Sequence, residues 1–393
     1  MRGYRADIAF DGVRRLPGGA LVLVEDGVIA GVESASFPAP ADCPVTDGVA
    51  LLPGLIDTHV HLCGDSSPKA LDQFAELSPD QLQDVITTAE QQQLRAGVTT
   101  VRDLGDDRWA VVDRLRAGGD GPTVVASGPP LTVPGGHCAS MGGVATGQDA
   151  LRAAVRERVD RGAGVVKIMA SGGVLTPDTD VFSCQFTLEE MRAVVEEAHL
   201  HGLPVTAHAH GLSAVERAVE CGVDGIEHCS CLTRDGARLP RALSERLAES
   251  GIYVCPTVGR VPGLEPPPHV QARLAAIGST FEDHLVHVVE LQKAGVRFLA
   301  GTDAGIGPVK RHGLVPMAVV DLVACGVPAT DALASATGLA ALAIGLRQRT
   351  GRLAAGLDAD LLLVDGDPLS DVTALQRLRA VVSRGREVPL PQA

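Results

Sequence analysis

Between residues 51 and 301 the chain runs eight times through one pattern: a short apolar run, a turn, then a stretch of helical length. The runs are 51–57, 98–104, 123–127, 165–170, 204–207, 225–227, 252–256 and 296–301. Gly97, Gly162, Gly202, Gly222, Gly251 and Gly295 each stand between a helical stretch and the next run, where a left-handed residue without Cβ ends a helix cheaply. Ser78 with Gln81, and Thr187 with Glu190, have the spacing of a capping box at a helix start. Strands separated by helical crossovers pair in parallel, so the pattern predicts an α/β fold. Eight such units close into a (β/α)8 TIM barrel, whose chemistry sits at the carboxyl ends of the strands. A doubly wound open sheet is the alternative, but no Gly-x-Gly-x-x-Gly follows the first run.

The two ends of the chain read differently. Residues 6–10, 20–25 and 28–32 alternate like short strands between Asp-Gly and Gly-Gly turns, and 358–364 and 380–384 are again strand-like. Each set alone would expose an apolar face. The expected arrangement is therefore one small β-sandwich domain built from 1–52 and 346–393, with the barrel domain spanning 53–345.

The net charge of −14 repels phosphate backbones and anionic lipid, which argues against nucleic acid or a membrane as partner and for a small-molecule or peptide substrate. Nine cysteines, an odd number without repeated spacing, point to a reducing, cytoplasmic setting. No signal-type apolar segment follows Met1, and no run of about 18 apolar residues occurs to span a bilayer. A homo-oligomer is expected. Of the 34 basic residues only four are lysine, namely Lys69, Lys167, Lys293 and Lys310. That makes the place of each lysine worth asking about.

Chemistry gathers at the ends of the apolar runs. The first ends in His59-Val-His61, and side chains two apart on a strand share a face, so both imidazoles can reach one ion. The fifth ends in His208-Ala-His210, the sixth in Glu227-His228 and the eighth in Thr302-Asp303. The fourth holds Lys167 within Val-Val-Lys-Ile-Met, where an unpaired ammonium costs several kcal/mol to desolvate. Ion pairing or snorkelling is one escape for it; covalent loss of the charge is the other.

Taken together, these segments resemble the amidohydrolase superfamily, in particular its imidazolonepropionase-like and prolidase-like dipeptidase branch. The resemblance runs from Pro53-Gly-Leu-Ile-Asp-Thr-His59-Val-His61 through Gly97-Val-Thr-Thr-Val-Arg-Asp-Leu-Gly105, Val166-Lys-Ile-Met-Ala-Ser-Gly-Gly173, Ala207-His-Ala-His-Gly211, Gly225-Ile-Glu-His228 and Gly301-Thr-Asp303 to Asp358-Ala-Asp360. It implies two divalent metal ions, zinc first among them: His59, His61 and Asp303 on one, His208 and His228 on the other. It implies further that Lys167 is carboxylated by CO2 and bridges them, and that Asp303 is the catalytic base. The expected reaction is cleavage of an amide C–N bond by a metal-bridging hydroxide, in a dipeptide (Xaa-Pro or similar) or an N-acyl amino acid.

Around the expected ions, His210 has two roles open to it, substrate contact or structural support. His137, in Pro134-Gly-Gly-His-Cys138, matches a loop that reaches the substrate side in similar proteins; a flexible Gly-rich loop is the plainer alternative. Arg260 could hold a substrate carboxylate in bidentate fashion or stand as a solvated loop residue. Asp57 and Glu227 are expected on the opposite strand faces as hydrogen-bonding supports, His312 as a loop-ordering residue, and Cys184, Cys229 and Cys231 as small fillers. Two other functions compete. A cyclic-amide hydrolase or deaminase of the imidazolonepropionase type typically uses one metal and lacks the strand-four lysine, and a non-catalytic barrel scaffold would not need every ligand position filled.

Overall fold

The computed structural model describes residues 1–71, 73, 76–176 and 178–391. All eight expected runs form strands: Leu55–Val60, Val98–Asp103, Thr123–Ala126, Val166–Met169, Val205–Gly211, Gly225–Thr233, Tyr253–Cys255 and Arg297–Phe298. Every regular pairing among them is parallel. The ladders divide into one sheet of three strands, from Leu55–Val60 to Thr123–Ala126, and one whose path runs through five, from Val166–Met169 to Arg297–Phe298.

At both seams between the two sheets the pairing thins to isolated bonds. Leu131 N donates to Lys167 O at 2.8 Å and Met169 N to Leu131 O at 2.8 Å on one side. On the other, Thr58 N donates to Ala300 O at 3.1 Å, Asp303 N to His59 O at 2.8 Å and His61 N to Ala304 O at 2.8 Å.

The helices begin and end where local chemistry directs. Pro79–Arg95 and Leu188–Leu200 open with the expected capping boxes on Ser78 and Thr187, and a third, Thr280 with Asp283, opens Phe281–Lys293. Gly97, Gly162, Gly202, Gly222, Gly251 and Gly295 all have φ between 74° and 84°. That is the conformation that favours glycine after a helix.

The first run departs from expectation. It is not one strand over 51–57: Val45–Pro53 belongs to a separate sheet, and Leu55–Val60 starts afresh after Gly54. Any Cβ on Gly54 would overlap the Thr99 side chain, and its N–H donates to Asp360 O at 2.9 Å, so the chain changes sheets there.

Both ends of the chain do pool their strands, in one mixed sheet of eight. Its order is Arg386–Glu387, Leu378–Ser383, Leu361–Val364, Val45–Pro53, Arg2–Phe10, Ala20–Glu25 and Val28–Glu33, with Arg15–Leu16 beside Arg2–Phe10. Alternation along the strands splits its apolar side chains between two cores. Tyr4, Val22, Leu51, Leu361 and Leu363 fill a cluster of the sheet's own. Leu52, Leu362, Val364 and Val381 point the other way, into the large core shared with the parallel strands and their helices. Among the described residues no helix is long and apolar enough to cross a membrane.

Candidate metal centre

The carboxyl ends of the parallel strands bring the expected ligands together in one cavity of about 270 Å³, lined among others by His59, His61, Lys167, His208, His210, His228 and Asp303. Single ligating atoms of His59, His61 and Asp303 lie within 4.8 Å of one another, and so do those of His208, His210 and His228. The groups are contiguous: the His59 and His228 ring centres are 5.5 Å apart, and those of His208 and His228 4.6 Å.

Each imidazole is held by one nitrogen and presents the other. His59 Nδ1 donates to Glu227 Oε2 at 2.8 Å and His61 Nδ1 to Gly105 O at 3.0 Å, while Nε2 of both approaches Asp303 Oδ1, at 3.3 and 3.2 Å. His208 Nε2 donates to Gly172 O at 3.1 Å. His228 Nδ1 lies 2.8 Å from Thr257 Oγ1, whose own hydrogen goes to Pro256 O, so the histidine is the donor there too. Carbonyl, carboxylate and hydroxyl acceptors thus fix the tautomers and leave lone pairs on the inner nitrogens, which is the state a metal requires. Burial, with the neighbouring imidazoles, holds His208 and His228 well below the usual histidine range, so both are neutral. Burial opposes ionisation of Asp303, but the adjacent His59 and His61 outweigh it and keep the carboxyl below its ordinary value.

Delivering His228 needs a distortion. Glu227 is in register with His208 and points, like it, to the interior. His228, next in sequence, would face outward on a regular strand. A left-handed residue at His228, φ 67°, followed by Cys229 at 52° and Cys231 at 49°, turns it back into the cavity. The expectation that Glu227 faces the other way is therefore corrected. It sits beneath the site, holding His59, accepting from Arg102 Nη2 at 2.9 Å and from Thr206 Oγ1 at 2.6 Å. The charge of Arg102, and then the contact with His59, overcome burial and keep its carboxyl ionised. Asp57 is also inward, since it lies two residues before His59; it accepts from Thr302 Oγ1 at 2.6 Å and from His59 N at 3.2 Å. Arg102, Thr206 and Thr257 were not singled out from sequence, although a charged residue inside an apolar strand was a signal for Arg102.

Lys167 is 1% exposed and lines the cavity, with no hydrogen-bond or ion-pair partner for its Nζ among the described residues. Burial pushes its ammonium below the ordinary lysine value, with Glu227 and Asp303 pulling the other way. His210 Nδ1 lies 2.9 Å from Ser230 Oγ, and its ring stacks on His228 at 4.4 Å. His137 lies 4.5 Å from the His208 ring, tied through Nδ1 to Thr176 Oγ1 at 2.7 Å. Any Cβ on Gly173 would overlap the His137 ring, which gives that glycine its reason. Arg260 lines the cavity mouth but is engaged: Nη2 pairs with Glu282 at 2.7 Å and the guanidinium lies 4.3 Å over Phe281. His312 Nε2 donates to Gly64 O at 2.9 Å, the loop-ordering contact expected of it. Ser230 lines the cavity; Cys229 and Cys231 are buried around it.

Known proteins carry the same frame. Ochratoxinase from Aspergillus niger is 28% identical over 377 residues, covering 84% of this chain and 73% of its own. Imidazolonepropionase from Salinispora arenicola (strain CNS-205) is 29% identical over 378 residues, covering 90% and 87%. A crystal structure of a Xaa-Pro dipeptidase with bound methionine in its active site superposes with a TM-score of 0.83 at 27% identity, covering 98% of this chain and 99% of its own. The family pattern itself matches residues 50–388, and the chain belongs to the amidohydrolase family, a family of metal-dependent hydrolases acting on carbon–nitrogen bonds.

Proposed function

We propose that the protein hydrolyses an amide C–N bond with two divalent ions held by His59, His61 and Asp303 on one side and His208 and His228 on the other, bridged by a carboxylated Lys167. The observation that carries this reading is the orientation of the imidazoles: each spends one nitrogen on a protein acceptor and turns the other toward a shared space that also holds Asp303 and a lysine with no ion-pair partner among the described residues. Addition of CO2 to the neutral Lys167 amine, with release of a proton, gives an anionic carbamate suited to bridge two metals. Zinc is the first candidate. The fold that supports this is a (β/α)8 barrel closed by the two seams, with a composite domain of 1–52 and 346–393 as a terminal sandwich.

Two ions held there would activate water at neutral pH and polarise the scissile carbonyl. Asp303 takes the proton of the attacking water and passes it to the departing nitrogen. His137 and His210 stand on the substrate's side of the ligands, as does Arg260 at the mouth. The substrate is a dipeptide, Xaa-Pro or similar, or an N-acyl amino acid. Metal analysis of the purified protein is expected to give two ions per chain, and labelled bicarbonate a carbamate carbon signal lost in Lys167→Ala. A fully folded protein that takes up no metal would overturn the reading.

A further inference from the structure

The charge of the cavity wall is the reverse of the charge of the chain. With a net charge of −14 over 393 residues, the protein places a single carboxylate, Asp303, among the described residues lining the cavity, and that one is engaged by His59 and His61. Lys69, Arg260 and Lys310 line the same wall, and its outer part is apolar, with Val174, Leu175, Leu274 and Ile277. A free α-ammonium entering this space would lose its water and meet, among the described lining residues, no carboxylate other than the one engaged by His59 and His61. Phe281, the one phenylalanine, tyrosine or tryptophan among the described lining residues, already carries Arg260 at 4.3 Å and Lys310 Nζ at 5.9 Å.

The cations differ in what they have left to give. Arg260 is paired with Glu282. Lys310 Nζ, half-buried, donates to Thr257 O at 2.6 Å and Gly259 O at 3.0 Å, two neutral carbonyls, and has no carboxylate within ion-pair distance among the described residues. An ammonium has three protons, so one remains for a ligand. The backbone fixes it: Lys310 N donates to Gly307 O at 2.9 Å and Lys310 O accepts from Gly305 N at 2.8 Å, in the loop that carries Asp303.

We infer that the substrate is an N-acyl amino acid with an apolar, amine-free acyl group, and that Lys310 binds its carboxylate. This rests on the amide-hydrolase reading and narrows it, setting aside dipeptides with a free amino terminus. The acyl group lies along the apolar wall, and the carboxylate of the departing amino acid meets the third proton of Lys310.

The test compares leucyl, isocaproyl and carboxamide-capped isocaproyl conjugates of L-proline and of L-phenylalanine on the metal-loaded enzyme. Leucyl and isocaproyl differ only in the amine. Removing the amine is expected to raise kcat/KM about tenfold or more, and capping the carboxylate to lower it by a similar factor, as for a charged hydrogen bond gained or lost in a buried site. Lys310→Met is expected to raise KM about tenfold more for the uncapped conjugates than for the capped ones, a comparison within the variant that cancels any effect of freeing the Thr257 and Gly259 carbonyls. Calorimetric titration of the uncleavable ketomethylene isosteres reads the same preference without turnover, so loss of hydrolysis and loss of this selectivity are separable results. A leucyl ligand that binds as well as its isocaproyl partner overturns the proposal, on the wild type and without any variant. If Arg260→Met abolishes the carboxylate preference and Lys310→Met leaves it intact, the assignment to Lys310 falls.

Discussion

Glu227 shows how much of the site depends on a residue outside the proposed ligand set. Its two oxygens hold His59, Thr206 and Arg102, and it is fully buried. Glu227→Ala would leave the Arg102 guanidinium, 4% exposed, without its carboxylate, at a cost of about 3–5 kcal/mol. Urea midpoints on the metal-free protein read that loss. Glu227→Gln keeps the shape and the hydrogen bonds from Thr206 and Arg102 but removes the charge that orients His59, so metal affinity is expected to fall about 10–100-fold while the fold survives. Unchanged metal affinity in that variant would leave His59 orientation to the backbone alone. Lys167→Ala tests the other inner residue. It removes a buried charge problem along with the proposed bridge, so the metal-free protein is expected to be as stable as wild type or more so. Metal occupancy and amide hydrolysis should fall by orders of magnitude, by mass analysis and turnover, and near-normal turnover would take Lys167 out of the reaction.

The elements that place these residues were legible in the sequence to different degrees. The strands were readable because each is a short apolar run bracketed by a glycine and a polar end, and the helix starts at Ser78 and Thr187 because a capping box is a local pattern. The break at Gly54 was not, since its cause is the approach of Thr99 and the bond to Asp360, both distant in sequence. Nor was the inward position of Glu227, because strand alternation lets only one of Glu227 and His228 face the cavity and it is the left-handed backbone at 228, 229 and 231 that admits both. Lys310 escaped for a similar reason: its partners are carbonyls some fifty positions earlier. One helix end carries a pH prediction. Asp106 accepts from Val111 N at 2.9 Å and Val112 N at 3.2 Å at the start of Ala110–Ala117. Burial, and then the charge of Asp103, raise its carboxyl to about 7. An unfolded aspartate titrates at about 3.9, so between about pH 4 and 7 the folded state holds a proton that the unfolded chain has released. The Asp106 contribution to stability is therefore lost as pH rises through that window, by at most about 1.4 kcal/mol per pH unit. Asp106→Asn, which cannot ionise, should be more stable than wild type at pH 8 relative to pH 5, and parallel denaturation curves at the two pH values would show that this residue does not titrate there.

At the scale of the whole molecule, all of the proposed site residues lie between His59 and Lys310, yet the fold is tied together from its ends. Leu361–Val364 is inserted between Val45–Pro53 and Leu378–Ser383, so the segment leading into the first parallel strand is paired on one side by the far end of the chain. Leu361 and Leu363 close the terminal sheet's own cluster, while Leu362, Val364 and Val381 pack into the core that the parallel strands share. Gly54 N also donates to Asp360 O, at the point where the chain passes from one sheet to the other. Burying a side chain of this size contributes about 1.5–3 kcal/mol, so the few lost with this segment together approach the net stability of a typical domain, about 5–15 kcal/mol. A chain ending at residue 360 keeps every proposed ligand and substrate contact. It is nevertheless expected to lose cooperative unfolding and metal binding together, with an open edge on Val45–Pro53 that favours aggregation. Circular dichroism melts, size-exclusion chromatography and metal analysis of the truncated chain measure this directly. A soluble, cooperatively melting, metal-binding product would mean that the terminal sheet is an accessory to the parallel-stranded domain rather than a part of what folds it.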